Sequence, residues 1–479
     1  MSDQRLNFIG GEWTESQTGE TFETTDPANP EEVIATYPQS DAADTERAIE
    51  AAAEASDEWA ATPGPERGRV LTKTGSLLDR RKDDLTELLV REEGKTRSEA
   101  GGEVQRAIDI FHYYGSKASD LGGTVKSSSA RDTNLYTKTE PLGVAGLITP
   151  WNYPIAIPAW KIAPALAAGN AVVIKPASLA PGVVHEIADA LAEAGLPDGV
   201  LNVVTGPGSE VGATIAGHED VDAVSFTGST AVGNTVYDTA TEDGKRVQLE
   251  MGGKNPTLVG ASADAEEAAD IVADGAFGVT GQACTACSRA IVHEEVYDEF
   301  VDAVVDRAAA IEPDHGIDDP DMGPHVSESE LESTLEYVEI AEDEGATLEY
   351  GGSTLDREGY FVEPAVFSDV DSEMTLAQEE VFGPVLAVIP VSDFDEGVRV
   401  ANDVDFGLSA GVVTDDHTEA NRFVEEIEAG VVKINEKTTG LELHVPFGGM
   451  KDSSSETYRE QGDAGLDFYT ISKTVYDNY

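Results

Sequence analysis

From Leu142 onward the chain settles into an alternation that few folds accommodate. LGVAGLITP reads as a strand, IPAWKIAPALAAGN as a helix closed by Gly169 and Asn170, and AVVIKP as a buried strand. PGVVHEIADALAEAGLP follows as a helix, with Pro181 near its start and Gly195 past its end. GVLNVVTG and DAVSFTG are further strands around the short helical segment SEVGATIAGH. Strand cores this uniformly apolar leave no polar face for solvent, so they predict an α/β fold: a parallel sheet with helices on both faces. That is dinucleotide-binding architecture in its general form.

A second alternation starts near Asn255: helix ADAEEAADIVADGAFGV, strand RAIVHE, helix VYDEFVDAVVDRAAAI and, later, strand FGPVLAVIPV. It predicts another open α/β domain, and 479 residues suit two or three units. Upstream, residues 40–60 open on Ser and Asp caps and run in Ala-rich helical period, and residues 66–121 continue in helical patterns. Residues 124–140 and 467–479 instead alternate apolar and polar side chains. They would either pair with a neighbouring subunit by edge addition or lie as a surface hairpin and a frayed tail.

Charge narrows the partners. Acidic residues number 92 against 31 basic ones, a net charge of −61. Nucleic acid and anionic membranes both require clustered Lys and Arg, so neither is expected. No stretch approaches ~20 uninterrupted apolar residues, and MSDQRLNFIGGEW lacks a signal pattern, so a cytoplasmic protein is expected. The acids are spread along the chain, as in Asp264 to Asp274, Glu312 to Asp321 and Asp415 to Glu428. Molar salt shortens the Debye length to ~3 Å and removes most of their repulsion, which points to a salt-loaded cytoplasm. Two cysteines exclude a disulfide scaffold and a four-cysteine zinc site, and the eight histidines lack ligand spacing, so no metal is expected.

Cys284 lies in GVTGQACTACSRA among glycine and small polar residues, between the two α/β blocks. A lone cysteine is more often an inert buried residue, but this setting suits a cleft, and a thiolate suits attack on a carbonyl. Cys287 has nothing comparable around it and reads as packing. Glu250, at a strand end in QLEMGGKNP, is by itself an ordinary turn carboxylate. Its position at the carboxyl edge of a parallel sheet, where such folds place ligands, makes it a candidate base. The turns TGPGSEVG and FTGSTAVG, carrying Gly206, Gly208, Gly212, Gly228 and Gly233, do not form the GxGxxG fingerprint. A Gly turn opening onto a helix N-terminus still offers free N–H groups to a pyrophosphate. Lys175 ends the strand AVVIK and would read a ribose or phosphate, or simply be solvated.

Taken together, PWNYP (Pro150 to Pro154), VIKPAS, FTGSTAVG, LEMGGKNP, GQAC, EEVFGPV and PFGGMK occur in an order that resembles the aldehyde dehydrogenase superfamily over essentially the whole chain. The resemblance implies a Rossmann-like cofactor domain (1–121 and 142–252), a catalytic α/β domain (253–450) and a small β oligomerisation arm (122–141 and 451–479). It implies that Cys284 attacks the aldehyde and that Asn152, with the Cys284 backbone N–H, binds the developing oxyanion. Glu250 would activate the water that hydrolyses the thioester. By the same resemblance Lys175 holds the adenosine ribose, Gly228 and Ser229 lie beneath the pyrophosphate, and Glu380 and Phe382 contact the nicotinamide ribose and ring. Ile148, Pro150, Trp151, Gly208 and Met251 complete the implied cofactor set, and Lys254 is a support for the site. The implied assembly is a homodimer or homotetramer.

One departure bears on the cofactor. Many NAD-preferring members carry Glu three residues after the lysine of the VIKP segment, and here that position is Ser178. A carboxylate would repel a 2′-phosphate and a hydroxyl would not, so NADP is expected over NAD. For the substrate, Ser453 to Ser455 followed by REQG looks like the branch acting on 2-oxoglutarate semialdehyde (2,5-dioxopentanoate) in pentose and sugar-acid breakdown. Such an aldehyde carries a remote carboxylate and calls for a cation in the pocket. The helix before the arm reads HYYGSKAS, without the arginine often seen there; Lys117 would be the substitute or, as is commoner at such a position, a solvated helix lysine. Succinate semialdehyde, glyceraldehyde 3-phosphate and a broad aliphatic range stay open at this point. So do a catalytically silent binding relative, a cofactor-free thiol hydrolase and a coenzyme-A-acylating variant.

Overall fold

The structure is a computed structural model that describes residues 3–479. Two seven-stranded sheets carry it. In the first, the strands Arg246–Glu250, Ala223–Thr227, Val144–Ile148, Ala171–Lys175 and Leu201–Val203 lie side by side and parallel. Asn7–Ile9 and Glu12–Thr14 extend it through antiparallel pairings. The apolar strand runs are explained by burial on both faces. Ala145, Leu147, Val172 and Ile174 enter one core cluster, whereas Val144, Ile148, Ala171 and Val173 enter another on the opposite face. The helix Ala156–Ala168 is buried at all 13 positions and stops where Gly169 adopts φ +101°.

The second sheet runs Thr347–Tyr350, Ala365–Ser368, Val385–Val391, Cys287–His293, Asn255–Val259, Ser409–Val413, Val431–Ile434, parallel except for the first strand. It alternates in the same manner: Ile291, Ala387 and Ile389 face one core and Ala290, Val292 and Val388 the other. Only residues 251–254 separate the strand ending at Glu250 from the one beginning at Asn255, so the carboxyl edge of one sheet abuts the amino end of the other.

A third sheet pairs Thr470–Asn478 antiparallel with Thr133–Pro141, flanked by Val125–Lys126. Within 451–479, expected wholly in this arm, the strand begins only at Thr470. Ahead of it the helix Gly462–Phe468 leads into Tyr469, and Leu466, Phe468 and Tyr469 join the first core, so burial keeps this stretch on the body. The N-terminal segment holds strands that the helical reading did not include. Asp3–Gln4, Asn29–Pro38 and Thr21–Asp26 form a three-stranded sheet. Among the described residues, no helix is long and apolar enough to cross a membrane.

Candidate active site

Cys284 is presented by a loop with an unusual backbone. Val279 and Thr280 both have positive φ, 53° and 56°, which costs β-branched residues on the order of 1–3 kcal/mol each. The loop is over-determined by its bonds. Val279 N–H donates to Glu99 Oε1 at 2.6 Å, and Thr280 Oγ1 to Gly323 O at 3.1 Å. Val326 N–H donates to Gln282 Oε1 at 3.0 Å. Gly281 has φ +67°, and a Cβ there would lie 2.2 Å from Gly383 O, so the GQAC glycine is required by close backbone approach. On the other side Asn255 Nδ2 donates to Cys284 O and to Ala286 O, both at 2.8 Å.

Two clefts meet at this cysteine. The first, about 640 Å³, is lined by Pro150, Trp151, Asn152, Thr227, Gly228, Ser229, Met251, Gly252, Cys284, Glu330, Glu380 and Phe382. Trp151 and Phe382 stand edge to face at its rim, 5.4 Å between centroids. Cys284 also lines the second cleft, about 1290 Å³, together with Arg106, Tyr153, Trp160, Thr285 and Phe447. A molecule in either cleft therefore reaches the same thiol. Burial, with Glu380, Glu250 and Glu460 nearby, raises the Cys284 thiol above its ordinary value, so it rests protonated. Cys287 is buried, its sulfur 3.2 Å from Thr257 Oγ1, in a packing position.

Asn152 is 4% exposed, and its Nδ2 donates to Gln282 O at 3.0 Å, leaving its second hydrogen free of that bond. Lys95 fixes the same residue from behind, donating to Asn152 O at 2.8 Å and to Glu103 Oε2 at 2.6 Å. Glu103 Oε1 in turn accepts the N–H groups of Ile155 and Ala156, both at 3.0 Å. Sequence reasoning missed Lys95 and Glu103, which are eight residues apart on separate sides of a helix start and have no motif of their own.

Glu250 lines neither cleft, although its carboxyl is close enough to act on Cys284. It is 2% exposed and accepts Gly449 N–H at 3.1 Å and Ser454 Oγ at 3.4 Å. Burial and the neighbouring Glu460 raise its carboxyl well above the ordinary range, against the pull of Gly449 N–H, Lys161 and Arg459. Glu460 is held by Lys161, which also donates to Ser225 Oγ at 2.6 Å. This Glu250–Glu460–Lys161 group is buried throughout, and its last two members were not anticipated from the sequence.

The remaining expected cofactor residues lie at the carboxyl edge of the first sheet. Ile148 and Lys175 are register partners, and Thr149 N–H donates to Lys175 O at 3.2 Å. They lie outside the first cleft's lining, as do Ser178 and Gly208. Ser178 Oγ donates to Gly206 O at 3.4 Å, beside Gly208. Lys175 is buried, donates only to Pro176 O at 3.0 Å, and burial lowers its ammonium to about 8. Glu380 accepts Gly253 N–H at 2.9 Å, and burial pushes it up to about 7. Lys254 is wholly buried with no partner for its Nζ, and burial followed by Arg289 brings it down to about 7.

Of the two readings of Lys117, carboxylate anchor or solvated helix lysine, the structure favours the second. It pairs with Asp463 at 2.7 Å and lies over the Tyr113 ring, outside both clefts, because three helical turns carry it ~16 Å along the axis from Arg106. Two cations line the second cleft: Lys437, paired with Asp274, and Arg106, nearer the start of the same helix as Lys117. Glu99, Gly102, Glu103 and Arg106 share a helical face, a spacing legible in RSEAGGEVQRAIDIF once that face is known to border the cleft.

The dinucleotide fits the site in one respect independent of motif. Thr227 Oγ1, in the first cleft's lining, is buried and has no partner. Beside it the helix Thr230–Glu242 begins at Ser229 without a side-chain cap, leaving N–H groups available to an anion.

Comparison with known proteins agrees with this geometry. Residues 13–475 match the aldehyde dehydrogenase family. The chain is 69% identical to the alpha-ketoglutarate semialdehyde dehydrogenase of Haloferax volcanii, covering 100% of both chains. It is 44% identical to the 2,5-dioxopentanoate dehydrogenase of Saccharolobus solfataricus, over 96% of this chain and 97% of that one. A 3,6-anhydro-L-galactose dehydrogenase solved in complex with NAP superposes with TM-score 0.96 at 38% identity, covering 99% of this chain and 100% of that one. The NAD+ complex of a Bacillus cereus aldehyde dehydrogenase superposes with TM-score 0.96 at 36% identity, over 99% and 97%.

Proposed function

Because this chain belongs to the aldehyde dehydrogenase family, we propose that it oxidises 2-oxoglutarate semialdehyde to 2-oxoglutarate with NADP in preference to NAD. The observation that carries the chemistry is the convergence of both clefts on Cys284, with Asn152 beside it. Full-length identity of 69% to the Haloferax enzyme supports the substrate.

When bound, the nicotinamide supplies the two-electron acceptor. The protein's own steps follow from its geometry. Cys284 Sγ forms a bond to the aldehyde carbon as its proton passes to water, and the carbonyl π pair moves onto the oxygen to give an oxyanion. The free Asn152 amide hydrogen and the Cys284 N–H meet that charge in a site dry enough to make them effective. Loss of the aldehyde hydrogen with its electron pair leaves a thioester on Cys284. Rotation of the Glu250 side chain out of its bonds to Gly449 and Ser454 brings it towards the thioester, where it takes a proton from water. The C–S bond then breaks, returning the thiol and releasing the carboxylic acid. A carboxyl raised by burial is a stronger base than a solvated one, and it returns the proton to the departing thiolate.

Lys175, Ser178 and the turn at Gly208 would bind the adenosine end, and Gly228 with Ser229 the pyrophosphate. Pro150, Trp151, Met251, Glu380 and Phe382 would hold the nicotinamide half, and Ile148 would support Lys175. A hydroxyl at 178, three residues after a buried lysine that pairs with no carboxylate among the described residues, supports a 2′-phosphate. The exposed arm strand, with Ile471 at 51% and Tyr476 at 71% exposure, supports assembly into a homodimer or homotetramer. The dispersed acidity supports work in a salt-rich cytoplasm.

An aldehyde panel in molar KCl, read as reduced-nicotinamide absorbance with NADP and NAD separately, tests the proposal. We expect the highest kcat/KM for 2-oxoglutarate semialdehyde with NADP. Equal rates for neutral aldehydes of similar length would refute the substrate.

A further inference from the structure

We propose that Arg106, held by Gln461, is the anchor for the carboxylate at the far end of the aldehyde, an assignment that rests on the substrate class proposed above. Arg106 and Cys284 line the same cleft, so an aldehyde held at the guanidinium extends its other end towards the thiol. The cleft's other charges already have partners. Glu99 accepts the N–H groups of Thr96 and Val279, Glu103 pairs with Lys95, and Lys437 pairs with Asp274 at 2.7 Å. Among the described residues Arg106 forms no ion pair, Glu442 and Asp109 acting on it only from beyond contact, and its one hydrogen bond runs from Nη2 to Gln461 Oε1 at 2.8 Å. A guanidinium has five N–H donors in a planar fork shaped for a carboxylate, so most of its capacity is unused.

Gln461 adds a second line of support. It is 0% exposed, adopts φ +62°, and its Nε2 is buried without an acceptor. Arginine cannot accept, so the amide oxygen must face Arg106, and the orientation of Gln461 follows from chemistry alone. A side chain kept in left-handed backbone with an unsatisfied amide is costly, and here its one bond positions a cation. Molar salt screens the net charge of −61 over ~3 Å, so an anionic substrate is recognised by a cation in direct contact with it.

Arg106→Gln, with Arg106→Lys beside it, tests this through a ratio. The measured quantity is kcat/KM for 2-oxoglutarate semialdehyde divided by that for pentanal, which has the same length and no charge. We expect Arg106→Gln to lower the ratio about 100-fold, through KM, with pentanal oxidation retained and partial recovery in Arg106→Lys. A ratio within threefold of wild type, including a parallel fall for both aldehydes, overturns the anchor. Glutarate inhibition of pentanal oxidation separates this from the substrate reading. Whatever aldehyde the wild type prefers, glutarate should compete in wild type and weaken in Arg106→Gln, and unchanged inhibition also overturns it.

Discussion

Replacing Ser178 with Glu places a carboxylate three residues beyond Lys175, beside the turn at Gly206 where the Ser178 hydroxyl now donates at 3.4 Å. Two unit charges about 4 Å apart interact by ~1 kcal/mol in bulk water and ~4 kcal/mol at an effective dielectric near 20. Position 178 is half-buried, and the assay requires molar salt with a Debye length of ~3 Å, so the lower half of that range applies. A phosphate bears a charge of roughly −1.5 to −2, which brings the penalty against NADP to ~2–3 kcal/mol. At ~1.4 kcal/mol per decade, kcat/KM with NADP should fall roughly 30- to 150-fold. NAD should hold or gain, because the new carboxylate accepts from the ribose 2′-hydroxyl. Lys175 supplies a second signature. Its ammonium is lowered to about 8 by burial, and a lysine is charged below its pKa. The wild-type advantage of NADP should therefore be full near pH 6–7 and shrink as pH rises through 8. Steady-state kinetics with both cofactors at pH 6.5 and 9 in molar KCl (roughly one Lys175 titration span) would decide it. A cofactor ratio that Ser178→Glu leaves unchanged would refute the electrostatic argument.

Asn152→Ala removes the proposed oxyanion donor and should lower kcat about 100- to 1000-fold with KM little changed, measured by single-turnover absorbance. Iodoacetamide should label Cys284 slowly at neutral pH and faster as pH rises, because its thiol is raised and only the thiolate reacts; Cys287→Ser should leave that profile intact. Glu460→Gln removes the like charge that raises Glu250, so the acidic limb of the kcat profile should move to lower pH. The same change leaves Lys161 buried without its counter-ion and should destabilise the fold by ~3–5 kcal/mol, visible in denaturant melts. Dialysis from molar KCl to 0.1 M should unfold the wild type, followed by circular dichroism, as the Debye length lengthens from ~3 to ~10 Å.

The strand and helix alternation from Leu142, the Gly stops at 169 and 195 and the packing role of Cys287 follow from local chemistry that the sequence carries whole. An apolar run buried on both faces, or a glycine at positive φ, means the same thing wherever it sits. Cys284, Asn152 and Glu250, the proposed nucleophile, amide and base, could be named only from motifs, each ambiguous alone. What the tertiary structure decided is everything that depends on residues distant in sequence. Lys95 grips Asn152 across 57 positions and Lys161 grips Glu460 across 299. Arg106 meets Gln461 across 355, whereas Lys117, eleven residues beyond Arg106 on one helix, turns to Asp463. Pairings of that kind have no period and no spacing, since chain separation places no constraint on them once the sheets are stacked. The resting place of Glu250, outside the lining of both clefts on Gly449 and Ser454, was set in the same way by a C-terminal segment that folds back to cover it.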